Sequence, residues 1–127
     1  MRTITTHHDR HGINDETVIE VDDKDPNAGG ASHHYELSRP VPGWGTTKTH
    51  ALIDFQHGPR LDLNSTPGIL DGAILAVLID RYECFQAGPF ACRENALILT
   101  KLQEAMHWMK HRADERAQRN VLGKNEK

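Results

Sequence analysis

A chain of 127 residues can hold one ordinary domain, or two small layers that share a core. With 37% hydrophobic residues, a mean hydropathy of −0.63 and a longest apolar run of only residues 73–79, it lacks the ~20-residue segment that crosses a bilayer. The net charge of −3 is uneven, since residues 1–66 hold six Lys or Arg against ten Asp or Glu, whereas residues 101–127 hold seven against four. That basic end is either a solvated helix face or a place for an anionic ligand.

In chain order, residues 1–12 (MRTITTHHDRHG) have no apolar stretch to direct secretion, and the His-rich segment is expected as a flexible tail on a cytoplasmic protein. Residues 13–65 change to alternating periodicity. TVIEV (17–21), HYEL (34–37), THALIDF (49–55) and LDL (61–63) are partly β-branched runs of period two. Turn residues separate them: DDKDPNAGG, PVPGWG and Gly58-Pro59. Four strands with short returns predict a small antiparallel meander with one face toward a core. His33 and His34 fall at a strand start and read as surface residues.

Residues 66–120 read as a helical hairpin. Thr66 before Pro67 has the character of a cap followed by a first helical position. The first arm, ILDGAILAVLIDRYECFQ, places Leu70, Ile74, Val77, Leu78 and Phe85 on one face and Leu75, Ile79 and Tyr82 on another. One partner helix cannot cover both, so the hairpin is expected to pack with the sheet and to mediate oligomerisation. After the break AGPFAC, a second arm at 93–119 carries Ile98, Leu102, Ala105, Met106 and Met109 as a stripe and extends ~40 Å. Its far end is expected to project toward a neighbouring subunit. Residues 121–127 read as a second flexible tail, and the whole as an α+β fold. Cys84 and Cys92 flank the break and are expected to stay reduced in the cytosol.

Nine histidines raise the question of a metal. His107 and His111 share a helix face, but no neighbouring Cys, Asp or Glu completes a ligand set, so no metal site is expected. GxSxG and GxxxxGK[ST] are both missing, so no catalytic residues and no cofactor are assigned. A binding set remains. Phe85 ends the first arm and Asn95 opens the second, and the hairpin turn makes them neighbours. An aromatic ring beside an amide suits a purine. Arg112 on the second arm and Arg60 after Gly58-Pro59 offer bidentate contacts to phosphate. The alternative for Phe85 is a core aromatic, for Asn95 a polar residue of a helix start, and for the arginines ordinary surface charge.

The segment LAVLIDRYECFQAGPFACRENALILTKLQEAMHWMKHR, above all CFQAGPFACRENALILTKLQEA, resembles the hairpin domain shared by the Thoeris anti-defence protein 1 family and the anti-CBASS protein 2 family of phages. A β-rich portion ahead of the hairpin is similar to the first of these. The resemblance implies a non-enzymatic sponge that sequesters cyclic ADP-ribose isomers, glycocyclic ADP-ribose among them, made by TIR-domain enzymes. It implies Phe85, Asn95, Arg112 and Arg60 as ligand-binding residues and a homo-oligomer between a dimer and a hexamer. It also implies action in the cytoplasm of the infected bacterium. Cyclic di- or trinucleotides are a second ligand class that the family suggests. Two rivals are an enzyme degrading the same signal and a nucleic-acid binder using the basic C-terminal helix. The second is disfavoured because Trp108 is the one stacking aromatic on that arm.

Overall fold

The computed structural model describes residues 1–120, and the expected tail at 121–127 lies outside the described residues. Strands β1 (Arg2–Ile4), β2 (Val18–Val21), β3 (His34–Pro40) and β4 (Thr47–Asp54) precede helices α1 (Asp71–Ala87) and α2 (Arg93–Gln118). The fold is α+β. The chain divides into two compact units, Met1–Ile69 and a second that begins at Leu70.

The sheet is an antiparallel meander in the order β1-β2-β3-β4. Its register aligns Ile4, Ile19, Leu37 and Ala51 in one row, and Arg2, Val21, Tyr35 and Ile53 in the row two residues along. Both rows share a face because side chains alternate along a strand. Val21 is fully buried there, and Tyr35 meets Phe55 edge-to-face at 5.5 Å. The opposite face carries Thr3, Glu20 and Glu36, with Leu52 exposed beside them. A register shift between Leu37 and Ser38 bends β3 before its polar end.

The structure differs from the sequence reading at three places. Residues 1–12, expected as a flexible tail, contain β1; this three-residue strand is held by pairing with β2 that local pattern cannot reveal. His7 Nε2 lies 2.6 Å from the Thr17 carbonyl oxygen and ties down the return to β2. Residues 61–63, expected as a strand, lie in a loop. Asp62 N–H donates to the Pro59 carbonyl and its carboxylate accepts from Asn64 N–H, so turn chemistry outcompetes a ladder. Thr66 does not cap α1. It pairs with His57, and Ile69 pairs with Phe55, before the helix begins at Asp71. Gly68 permits this close pass, because a Cβ there would lie 2.5 Å from the Phe55 carbonyl carbon and 2.6 Å from the Asp54 carbonyl oxygen.

In the second unit, α1 and α2 pack against each other as an antiparallel hairpin. Among the apolar positions Leu75 is buried, and Ile74, Ile79, Tyr82 and Phe85 on α1 and Leu99, Leu102, Ala105, Met106 and Ala113 on α2 are partly covered. Each of the two α1 faces is covered in part: Leu75 is 9% exposed beside the partly covered Ile79 and Tyr82, whereas on the other face Ile74 and Phe85 are partly covered and Val77 is 65% exposed. Leu70, Leu78, Leu97, Ile98 and Met109 remain as an open apolar surface.

Candidate functional site

The hairpin tip gathers the chemistry around residues 81–95. Helix α1 ends at Ala87, where Gly88 N–H donates to the Phe85 carbonyl. Gly88 fits closely; a Cβ would stand 3.3 Å from the Cys84 carbonyl oxygen. Residues 88–91 turn the chain, Ala91 N–H donating to Gly88. Cys92 then caps α2: its Sγ accepts from Asn95 N–H at 3.4 Å, satisfying one of the free donors of a helix start. Gln86 Oε1 accepts from Cys92 N–H at 3.1 Å and so locks the last turn of α1 to the first residue before α2.

Phe85 is half-buried and ringed by aromatics. Tyr82 meets it edge-on at 5.5 Å and Phe90 at 6.4 Å. The Arg81 guanidinium lies over its ring, 4.9 Å from the centroid, so one face carries a cation–π contact. Asn95 is half-buried on the first turn of α2. Its Nδ2 donates to the Phe90 carbonyl at 3.0 Å, which closes the tip and leaves Oδ1 as an acceptor. Phe85 and Asn95 are thus joined through Phe90, whose ring touches one and whose carbonyl holds the other. Phe90 itself is 70% exposed. Arg81, Gln86, Phe90 and the capping role of Cys92 escaped the sequence reading. Only Arg81 had a signal, its i,i+4 spacing to Phe85.

Arg112 does not join this cluster within one chain. It is exposed and sits 17 residues beyond Asn95 on α2, about 26 Å along the axis at 1.5 Å per residue. Arg60 belongs to the first unit, exposed on the loop between His57 and Thr66. Neither guanidinium makes a hydrogen bond or ion pair among the described residues. Toward the distal end of α2, His107 and His111 lie near-parallel at 6.4 Å, both edge-on to the exposed Trp108. Among the described residues no group of three His, Cys, Asp or Glu is placed to hold a metal. Cys84 and Cys92 are both free and exposed. No helix of the described residues is long and apolar enough to cross a membrane.

A second polar cluster lies at one end of the sheet, around residues read from sequence as surface histidines. His34 Nδ1 meets Asp54, and its Nε2 lies 3.1 Å from Glu36. Those hydrogen bonds, the Asp54 one first, raise the His34 pKa above its ordinary value. Asp22 is pushed up by burial, but accepts N–H from His33 and His34, and these bonds with the two nearby imidazoles leave it below the usual carboxylate range.

A two-helix hairpin with an aromatic–amide tip, joined to a small antiparallel sheet, defines an α+β protein built on a helical-hairpin domain. Residues 47–113 match the family model described as "Acb2/Tad1, hairpin domain", which is more than half of the chain, and the protein belongs to that family. It is also similar to a protein named "Thoeris anti-defense 1" from Bacillus phage SBSphiJ7. That relative is 42% identical over 77 residues, 61% of this chain and 54% of the phage protein. The match thus spans about half the length of that curated relative. Arg60, Phe85, Asn95 and Arg112 all lie inside the stretch matched to the family.

Proposed function

We propose that this protein is a phage anti-defence sponge acting in the cytoplasm of the infected bacterium, which binds glycocyclic ADP-ribose made by TIR-domain enzymes of the Thoeris system and does not cleave it. The observation that carries the reading is the Phe85–Asn95 tip inside a hairpin of this family, with a relative named for Thoeris anti-defence. Phe85 stacks on the adenine through the face opposite Arg81, or exchanges the guanidinium for the base. Asn95 Oδ1 accepts a hydrogen bond from the nucleoside. Arg60 and Arg112 neutralise the pyrophosphate through paired N–H donors.

The axial distance between Asn95 and Arg112 bears on how such a site is completed. A ligand the size of one dinucleotide does not bridge ~26 Å of helix. A second copy of the chain therefore supplies Arg112 to the tip of the first, and the open apolar surface at Leu70, Leu78, Ile98 and Met109 supports that pairing. Lys110, Arg116 and Arg119 toward the end of α2 are the basis for a second ligand class, cyclic di- or trinucleotides, held apart from the tip, with Lys110 exposed, Arg116 buried and Arg119 paired with Glu115.

The test uses the product of a TIR-domain enzyme. Protein is mixed with it, filtered and heated, and the released small molecule is identified by mass spectrometry. A sponge returns intact ligand in stoichiometric amount. Cleaved ligand, regenerated over many turnovers, would mean an enzyme instead.

A further inference from the structure

The loop that carries Arg60 has an unusual foundation. His57 and Thr66 exchange two backbone hydrogen bonds, of 3.0 and 2.8 Å, and so close residues 58–65 into a loop. Inside it, Asp62 and Ser65 N–H groups donate to Pro59 and Asp62 carbonyls. At its base Gly58 adopts a positive φ of 94°, and a Cβ there would collide with Ser65 Oγ. The loop is therefore internally braced, and its stem is held by Gln56 N–H on the Ile69 carbonyl, by Gly68 N–H on Gln56 Oε1 and by the contacts of the His57 side chain.

The His57 side chain is held from two sides by other parts of the chain. Its Nε2 lies 2.7 Å from Asp25 Oδ2, in the loop between β2 and β3. Its ring stacks on His33 at 4.1 Å with 20° between planes. His33 is in turn anchored by its backbone N–H on Asp22, and its Nε2 is buried with no hydrogen-bond partner among the described residues. The Asp25 loop is itself rigid: Asp25 N–H donates to the Ala31 carbonyl, Gly30 N–H returns to the Asp25 carbonyl, and Asp25 Oδ1 accepts from Asn27 N–H. The hydrogen bond from His57, ahead of that from Asn27, holds the Asp25 carboxyl below its ordinary pKa. A carboxylate, an imidazole and a second imidazole thus connect the rim of the sheet to a point three residues before Arg60.

We propose that Asp25, His57 and His33 form a clamp that positions Arg60, so that Asp25 and His57 are positioning residues for the anion contact although neither touches the ligand. The inference rests on the role given to Arg60 under the proposed function. It adds that the affinity of that arginine is set from a loop 35 residues away in sequence. An Arg on an unclamped loop would lose conformational freedom at each binding event, and a clamped one has already lost it.

Two measurements on the full-length protein test this. Trypsin cleavage after Arg60 reports loop mobility with no ligand present. Asp25→Ala should speed it several-fold relative to other sites, while Asp25→Asn, whose Oδ1 keeps the Asn27 N–H and whose Nδ2–H donates to Nε2 of the other neutral His57 tautomer, should stay near wild type. Calorimetric titration with glycocyclic ADP-ribose should show Asp25→Ala weakened about tenfold, the scale of a lost hydrogen bond, with Asp25→Asn largely restored. In an Arg60→Ala background the Asp25→Ala change should have no further effect. If Asp25→Ala fails to fold, His57→Gln takes its place in both assays. Unchanged cleavage, or an equal further loss on top of Arg60→Ala, overturns the clamp. A weakened Arg60→Ala beside an unchanged Asp25→Ala overturns the clamp alone, whereas an unchanged Arg60→Ala overturns the ligand role of Arg60 and the clamp with it.

Discussion

Asn95 carries two duties at once, because its Nδ2 closes the hairpin tip on the Phe90 carbonyl while Oδ1 is left open. Asn95→Ala is expected to lower ligand affinity ten- to a hundred-fold, about 1–3 kcal/mol, and to cost about 1 kcal/mol of stability from the lost tip bond. Calorimetry and thermal melting read the two separately; affinity at the wild-type level would remove the site from the tip. His34 supplies a pH signature. Its pKa is raised in the fold by Asp54 and Glu36, so the folded state binds its proton more tightly than the unfolded chain does. The resulting stabilisation is complete below the unfolded value of about 6.5 and is lost as pH rises through the folded value. Melting of wild type and His34→Gln should therefore differ most in mildly acidic buffer and converge in alkaline buffer. A constant gap across that range would show that the pairing with Asp54 and Glu36 does not form in solution.

At the scale of elements, the connection from the sheet into α1 is the tightest point of the first unit. Gly68→Ala must displace the backbone of Asp54 or Phe55, and is expected to cost roughly 1–3 kcal/mol in urea unfolding, as overpacking does. A neutral result would mean that the strand-like pairing of Ile69 is loose. Much of the architecture was legible in the sequence, because period-two runs gave three of the four strands, and the length and glycine-free course of residues 93–118 gave α2. What escaped depended on partners distant in sequence. β1 is too short to announce itself and exists by pairing with β2. Thr66-Pro67 has the chemistry of a helix start, yet non-local bridges to His57 and Phe55 claim that segment. Periodicity also showed that α1 has two apolar faces without showing how far each would be covered. At the tip, Phe85 and Asn95 were visible as residue types beside a turn. The Asn95 bond to a backbone carbonyl was not, since a carbonyl leaves no mark in the sequence. The His33–His57 stack was hidden for the same reason: it joins the start of β3 to a residue 24 positions later.

For the whole molecule, the apolar surface left on the hairpin predicts self-association. Light scattering at micromolar concentration is expected to give at least a dimer, and Leu78→Lys or Ile98→Lys to shift it toward monomer without loss of helical signal. A wild-type monomer would refute both the association and the shared site. Helix α2 has 26 residues and α1 has 17, so the longer arm outruns its partner by nine residues, and Arg112 sits far from its own tip. If the proposed site is completed only between copies, the capture proposed for this protein becomes a matter of timing in infection. The first few molecules translated would be nearly inert, and sequestration would switch on steeply once their concentration passed that at which chains pair.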